Sequence, residues 1–334
     1  MEFQLANNIW NQALSSIDIL TVSLLIASLS IGYIVYSHKL WKDGKKYPPY
    51  APGGMRKHIP MGSSSQYPWW ILDVARQLQS RVFQLSIPIR PMTRVFVVGE
   101  LKAFRSILTD PLAQKPLELY GRHFRLISGG AATMFTMNGD GWHKKRKAVA
   151  PAFSSNHIKR MTKMAMEKTD VWIRDMLMDP AKNSSFDVSK EMIGIVLSAI
   201  SETAFEYEIS ADEKDFFGAE IDLALVEFSS KAPINPLRGL FGLFIPGRRR
   251  AFVAAQNLKK MTFQIMNSYR NKEEPPHNGT VIQLIMESDA YPTDDEKVAE
   301  LIGFLIAGHD TTAFSISWIL LELSRNPDEQ RKLR

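Results

Sequence analysis

No cysteine occurs among the 334 residues. Disulfides, cysteine-ligated zinc, iron–sulfur clusters and a thiolate metal ligand are therefore excluded within this stretch. A strong excess of one charge is also missing: 41 Lys and Arg stand against 35 Asp and Glu, a formal balance of +6. That balance favours acidic partners or anionic membrane surfaces without specifying a fold. The basic residues fall in short clusters within amphipathic segments and form no nucleic-acid motif, which argues against a nucleic-acid partner. There is no internal repeat. With 45% hydrophobic and 23% charged residues, the chain has the means to bury a sizeable core.

Lys and Arg are absent before Lys39, and Ile19–Tyr36, ILTVSLLIASLSIGYIVY, carries no charge at all. As a helix it would rise about 27 Å, close to the hydrocarbon thickness of a bilayer. Lys39, Lys42, Lys45 and Lys46 follow directly, so the remainder is expected on the cytosolic side of a single-pass anchor. A cleaved signal peptide fits poorly, because the basic leading region is missing and the apolar run is long. Residues 1–46 thus read as an anchor segment. In 47–54, Pro48, Pro49 and Pro52 hold the backbone extended and Gly53 and Gly54 release it, as in a stiff hinge. Residues 55–334 read as a catalytic-type domain.

Within that domain, Val82–Ile87 and Arg94–Val98 have the composition of two short strands. Beyond Glu100 the pattern predicts helices over Leu101–Leu108, Gly141–Ala150, His157–Met178, Val188–Phe205, Asp212–Ser229 and Arg249–Tyr269. Asn271–Gly279 reads as a polar loop. The longest helix starts at the capping-box pair Thr293 and Glu296 and runs to Arg325, where Asn326-Pro327 stops it. At about 48 Å it would cross the whole domain. A further helix begins at Pro327, and the sequence reaches Arg334 without a stop signal, as if cut.

The long helix contains Ala307-Gly308-His309-Asp310-Thr311-Thr312, a run that helix propensity disfavours: Gly costs about 1 kcal/mol against Ala, and two β-branched residues add to it. Ala307 and Gly308 remove bulk so that a flat ligand could approach. Thr311, one turn beyond Ala307, offers a hydroxyl, and Asp310 an ionisable group at the same level, a combination able to pass protons. Upstream, WHKKRKAVAPAF places Trp142 and Arg146 four apart on one helical face, where they can stack while the guanidinium pairs with an anion.

AGHDTT resembles the oxygen-activation motif of the cytochrome P-450 family, and Trp142/Arg146 resembles that family's Trp-x-x-x-Arg helix in the expected order and spacing. The resemblance implies a mainly α fold with a small β-sheet, with the C-terminal part of the domain missing. Asp310 and Thr311 would assist proton delivery during oxygen activation. Ala307 and Gly308 would lie over haem b, and Trp142 and Arg146 would hold a haem propionate. Electrons would come from NADPH through a reductase docking near Lys144, Lys145 and Lys147. Residues around Leu117 to Met134 would line a pocket for a lipophilic, fatty-acid- or sterol-like substrate. The apolar connection Asn235–Pro246, followed by three arginines, would touch an endoplasmic reticulum membrane; a plastid membrane is the alternative, disfavoured because no Arg/Ser-rich transit region is present.

The sequence departs from the family in lacking the Glu-x-x-Arg helix and the Cys-bearing haem loop. His309, at the motif's variable position, does not substitute for that thiolate. No metal ligand is assigned, and these residues alone are expected neither to hold haem firmly nor to turn over. Two rival readings are a non-catalytic membrane-tethered protein that binds a hydrophobic ligand or a partner, and a haem protein completed by another chain.

Overall fold

The structure, a computed structural model, describes residues 47–62, 66–86, 94–117, 120–178, 186–231, 244–273 and 279–333, together with Ser28 and Gly32. Apart from those two residues, the anchor expected over Ile19–Tyr36 lies outside the described residues, as does most of the apolar connection 235–246. The chain divides into two compact units, Met1–Asp110 and Pro111–Arg334.

The first unit contains α1 (Gly54–Gly62), α2 (Tyr67–Leu78), β1 (Val82–Leu85), β2 (Val95–Val98) and α3 (Leu101–Thr109). The strands pair antiparallel, with Val82 opposite Val98 and Leu85 opposite Val95. Burial of Phe83 and Leu85 against Trp70, Val74 and Ala51 gives this unit a small core. Pro48–Ala51, expected to act as a hinge, is instead fastened to β1. Gln84 N–H donates to Pro49 O (2.8 Å), Gln84 O accepts from Ala51 N–H (2.9 Å), and the Gln84 side chain donates to Pro48 O (2.5 Å). Proline lacks a donor but keeps its carbonyl, so an edge position of this kind suits it. Gly53 and Gly54, both at positive φ, turn the chain straight into α1, which glycine allows without a Cβ clash.

The second unit is helical: α4 (Tyr120–Ile127), α5 (Gly139–Val149), α6 (Ser155–Trp172), α7 (Val188–Phe205), α8 (Ala211–Leu225), α9 (Pro246–Arg270), α10 (Val281–Glu287), α11 (Asp294–Arg325) and α12 (Pro327–Leu333). A short 3-10 turn, Ala150–Phe153, joins α5 to α6. Helices α6 and α8 give way six and four residues before the ends that periodicity predicts to π-helical turns at Ile173–Leu177 and Val226–Lys231. Periodicity reads the facing of side chains and cannot see such a widening of the hydrogen-bond ladder. The short α4 and α10 escape the sequence pattern because two turns carry too few apolar repeats.

Helix α11 is the axis of this unit. Its first half, Val298–Ile306, is buried with Leu197, Phe205, Leu258, Ile265 and Tyr291 in one continuous core. Its second half exposes Phe314, Trp318 and Ile319. Among the described residues it is the one helix long and apolar enough to cross a membrane, but its buried first half marks it as a core helix. Thr293 caps it as expected, accepting the Glu296 amide at 3.3 Å. The Glu296 carboxylate, expected to complete the box, goes instead to Lys145 Nζ at 3.2 Å.

Candidate functional site

The small-residue run sits midway along α11. Thr311 Oγ1 donates to Ala307 O (2.9 Å), so the hydroxyl proton is engaged along the helix while the oxygen can still accept. Thr311 and Thr312 are exposed and Ala307 is half-buried, which leaves an open face one turn long with little side-chain bulk. His309 points the other way: it is 2% exposed, and its Nδ1 meets Leu305 O at 2.9 Å. It belongs to the core.

Gly308 has a packing task. A Cβ built there would lie 1.7 Å from Cδ1 of Ile200 on α7. The crossing of α7 and α11 at this level therefore leaves no room for a Cβ unless the Ile200 side chain shifts. Gly308→Ala is expected to destabilise the unit by about 1–3 kcal/mol through overpacking. Trimming the obstructing methyl with Ile200→Val should return part of that loss, as read by a double-mutant cycle in denaturant unfolding. Equal stabilities with and without Ile200→Val would show that the clash is relieved elsewhere.

Asp310 is half-buried beside the open face. Burial holds its carboxyl above the usual carboxylate range; His309 opposes the shift, and the negative charge of Asp222 on α8 adds to it. Asp310 thus retains a proton more readily than a free aspartate would.

Helix α5 delivers the second pair. The Arg146 guanidinium carbon lies 5.4 Å from the Trp142 ring centre, the stacked arrangement expected from the spacing. Lys115 Nζ lies 5.5 Å from the same ring and donates to Met134 O (2.6 Å). Burial depresses the Lys115 ammonium, Glu300 opposes this, and Arg146 adds to the depression. Among the described residues no carboxylate pairs with Arg146. Two cations thus share one aromatic ring, and an anion could take the free donors of Arg146. Lys115 was not singled out from the sequence, and nothing in its spacing marks it.

The basic run flanking Arg146 divides, and here one expectation is corrected. Lys144 is exposed and reaches Asp289 at 3.9 Å, whereas Lys145 is 4% exposed and turned inward. Lys145 Nζ donates to Ala132 O (2.6 Å), pairs with Glu296 (3.2 Å), approaches Glu300 (3.9 Å) and sits 4.9 Å over the Tyr291 ring. Lys145 is therefore structural and cannot belong to a docking face. Position on the helix decides this: Lys145 lies four residues before Val149, on the side that packs.

Glu300 is the partner that sequence reading passed over. It is fully buried, and both carboxylate oxygens accept the Met134 amide, at 3.1 and 3.0 Å. Three residues on, Gly303 lets the Phe135 ring approach to 3.0 Å of where a Cβ would stand. Residues 132–136 are thereby docked on α11, and Phe135 meets Phe304 edge-on at 5.8 Å. Burial pushes the Glu300 carboxyl up to about 7, against the opposing Met134 amide, Lys145 and Lys115, with Glu296 adding to the rise. Its sequence signal is a single charge inside the apolar run Val298–Ile306. Among the described residues no hydrogen bond, ion pair or ring contact joins Trp142 or Arg146 directly to 307–311; the connection runs through Lys115, Met134, Lys145 and Glu300.

The family model of cytochrome P-450 matches residues 52–334, most of the chain. A cytochrome P-450 monooxygenase of Ampulloclitocybe clavipes is 27% identical over 221 residues, covering 59% of this chain and 40% of that protein. The leukotriene-B4 omega-hydroxylase 3 of Mus musculus is 25% identical over 272 residues, covering 74% of this chain and 50% of that protein. The taurochenodeoxycholic 6 alpha-hydroxylase of Sus scrofa is 26% identical over 222 residues, covering 60% and 43%. The chain thus spans about half the length, or less, of the curated relatives it matches.

Proposed function

This chain belongs to the cytochrome P-450 family, and from that premise we propose that it forms the oxygen-side and anion-clamping half of a haem-dependent monooxygenase acting on a lipophilic substrate. The observation that carries the reading is the pairing of an open, low-bulk face at Ala307 and Thr311 with an Arg146 that has no carboxylate partner among the described residues. These features fit haem b: Trp142 and Arg146 would hold a propionate, and Ala307 and the Gly308 backbone would border the flat ring. The iron's thiolate is not among these residues, since the sequence has no cysteine. Haem, when bound, supplies the reductive cleavage of dioxygen by which one oxygen atom enters the substrate.

The remaining steps belong to this chain's own groups. Asp310, inclined to keep a proton, would pass it toward the Thr311 hydroxyl, whose oxygen is free to accept while its own proton is held on Ala307 O. Electrons would come from NADPH through a reductase, with exposed Lys144 and Lys147 as docking charges. An anchor at Ile19–Tyr36 would keep the domain on the endoplasmic reticulum membrane. Two relatives are named for hydroxylating leukotriene B4 and a taurochenodeoxycholic substrate, which supports a lipophilic acid as the substrate class.

The test is the full-length gene product given NADPH, a reductase, heavy-isotope dioxygen and a panel of fatty acids and bile acids. One labelled oxygen atom per product is expected by mass spectrometry. Tight binding of the panel without labelled product would replace the monooxygenase with a ligand-binding protein.

A further inference from the structure

Glu300 has no part in the proton path or the anion clamp, yet it is the most deeply buried carboxyl that touches the elements carrying both. It sits on α11 seven residues before Ala307 and is fully buried. Its two oxygens hold the Met134 amide, and Lys145 from α5 lies 3.9 Å away. Lys145 also fixes Ala132 O (2.6 Å), and its own carbonyl accepts the Tyr291 hydroxyl (3.4 Å). Met134 O takes Lys115 Nζ, the cation that stands over Trp142. One carboxyl therefore joins three pieces of chain: the segment 132–136, helix α5 with Trp142 and Arg146, and the AGHDTT helix.

We propose that Glu300, acting through Met134 and Lys145, is a positioning residue that docks the 132–136 segment and the Trp142–Arg146 helix on α11, and that ionisation of this one carboxyl loosens the docking. The inference rests on the reading of Trp142 and Arg146 as an anion clamp.

The direction follows from solvation. In the closed arrangement Glu300 is shut off from bulk solvent, and the groups facing it are Lys145 from α5, Lys115 ahead of α4, Glu296 on α11, Tyr291 before α11 and the Met134 amide. Lys145 is shared, lying nearer to Glu296 and to Ala132 O than to Glu300. It cannot repay the whole cost of a desolvated charge. Opening returns water to the carboxyl. Protonation therefore favours the closed arrangement, and ionisation favours opening. With the closed carboxyl at about 7 and an open one at about 4.3, linkage makes the open population about ten-fold greater at pH 8 than at pH 6.

The experiment is hydrogen exchange by mass spectrometry on the 334-residue chain, corrected for the intrinsic rate, at pH 6 and pH 8. The peptides read are 131–138 and 139–149, in wild type, Glu300→Gln, Glu300→Ala and the double variant Trp142→Ala/Arg146→Ala. Wild type should lose about ten-fold protection at Met134 between the two pH values, with α5 following. Glu300→Gln, which keeps an acceptor and cannot ionise, should remain protected at both. Glu300→Ala should be deprotected at both. A Glu300→Gln variant with the wild-type pH dependence would overturn the proposal, and so would loss of protection at Met134 without any at α5. Should Glu300→Ala fail to fold, the Glu300→Gln profile alone decides. Trp142→Ala/Arg146→Ala should leave the Met134 exchange as in wild type. If ferric haem is taken up equally by the full-length gene product carrying that double change and by the full-length wild type, the anion-clamp reading fails while the Glu300 result stands.

Discussion

Replacing Lys145 by Glu is expected to unfold the second unit at neutral pH, whereas Lys144→Glu should leave its stability nearly unchanged. The two residues are adjacent in sequence and identical in type, so charge alone cannot separate them. Lys145 is 4% exposed and stands between Glu296 (3.2 Å) and Glu300 (3.9 Å). A glutamate there would put three carboxyls in one water-poor site, leave Ala132 O without its donor and remove the cation from the Tyr291 ring. Losing one partner of a buried pair costs about 3–5 kcal/mol, and the like charges add to it. Such a loss is comparable to the whole stability of many domains. Lys144 is more than half exposed and its nearest carboxylate, Asp289, is almost fully so, a pair that contributes little. Urea midpoints of the two variants, measured side by side, check this. Similar midpoints would mean that the inward orientation of Lys145 is wrong and that it belongs with the surface lysines.

The same site sets the sign of a pH dependence. Glu300 has a folded-state pKa raised to about 7 by burial. Its stabilising contribution is fully present below the unfolded value of about 4.3 and is lost as pH rises through about 7. The change amounts to roughly 4 kcal/mol over that window. Lys145→Met removes one of the charges that hold the Glu300 pKa down, so the window moves upward in pH.

Much of this was legible in the sequence, for definite reasons. The small-residue run announced itself because Gly308 and two threonines contradict helix propensity in the middle of a well-capped helix. The Trp142–Arg146 stack followed from a spacing of four. What escaped was information carried by tertiary neighbours. Gly308 reads as room for a ligand until Ile200 is seen against it. Lys145 reads as one of a basic run until the packing side of α5 is known. Glu300 reads as an interruption in an apolar stretch until Met134, 166 residues away in sequence, and Lys145 are seen against it. Pro48–Ala51 reads as a linker because no local signal shows that Gln84 collects its carbonyls. Periodicity reports which face is buried; it does not report what lies opposite.

Asp310→Asn and Thr311→Ala are each expected to slow product formation by the full-length enzyme by about 100-fold, in the range for losing a positioned proton donor. The double variant should be no slower than the worse single one. The reason is geometric. Consecutive residues on a helix point about 100° apart, so Asp310 faces the side where the Asp222 charge is felt, while Thr311 lies over Ala307 on the open face. On the proposed function the two side chains would act in sequence along one route, Asp310 drawing in the proton and Thr311 delivering it. Groups that act in sequence show non-additive losses, because the second deletion removes a step already disabled. Neither change should cost much stability. Asp310 is held above the usual carboxylate range by burial, so an amide suits its surroundings at least as well as a carboxylate. Thr311 is exposed, and its hydroxyl bonds only within its own helix among the described residues. Rates that multiply in the double variant would show two independent proton sources. An Asp310→Asn variant with the wild-type rate and wild-type pH dependence would remove Asp310 from the route altogether and leave Thr311 supplied directly by solvent.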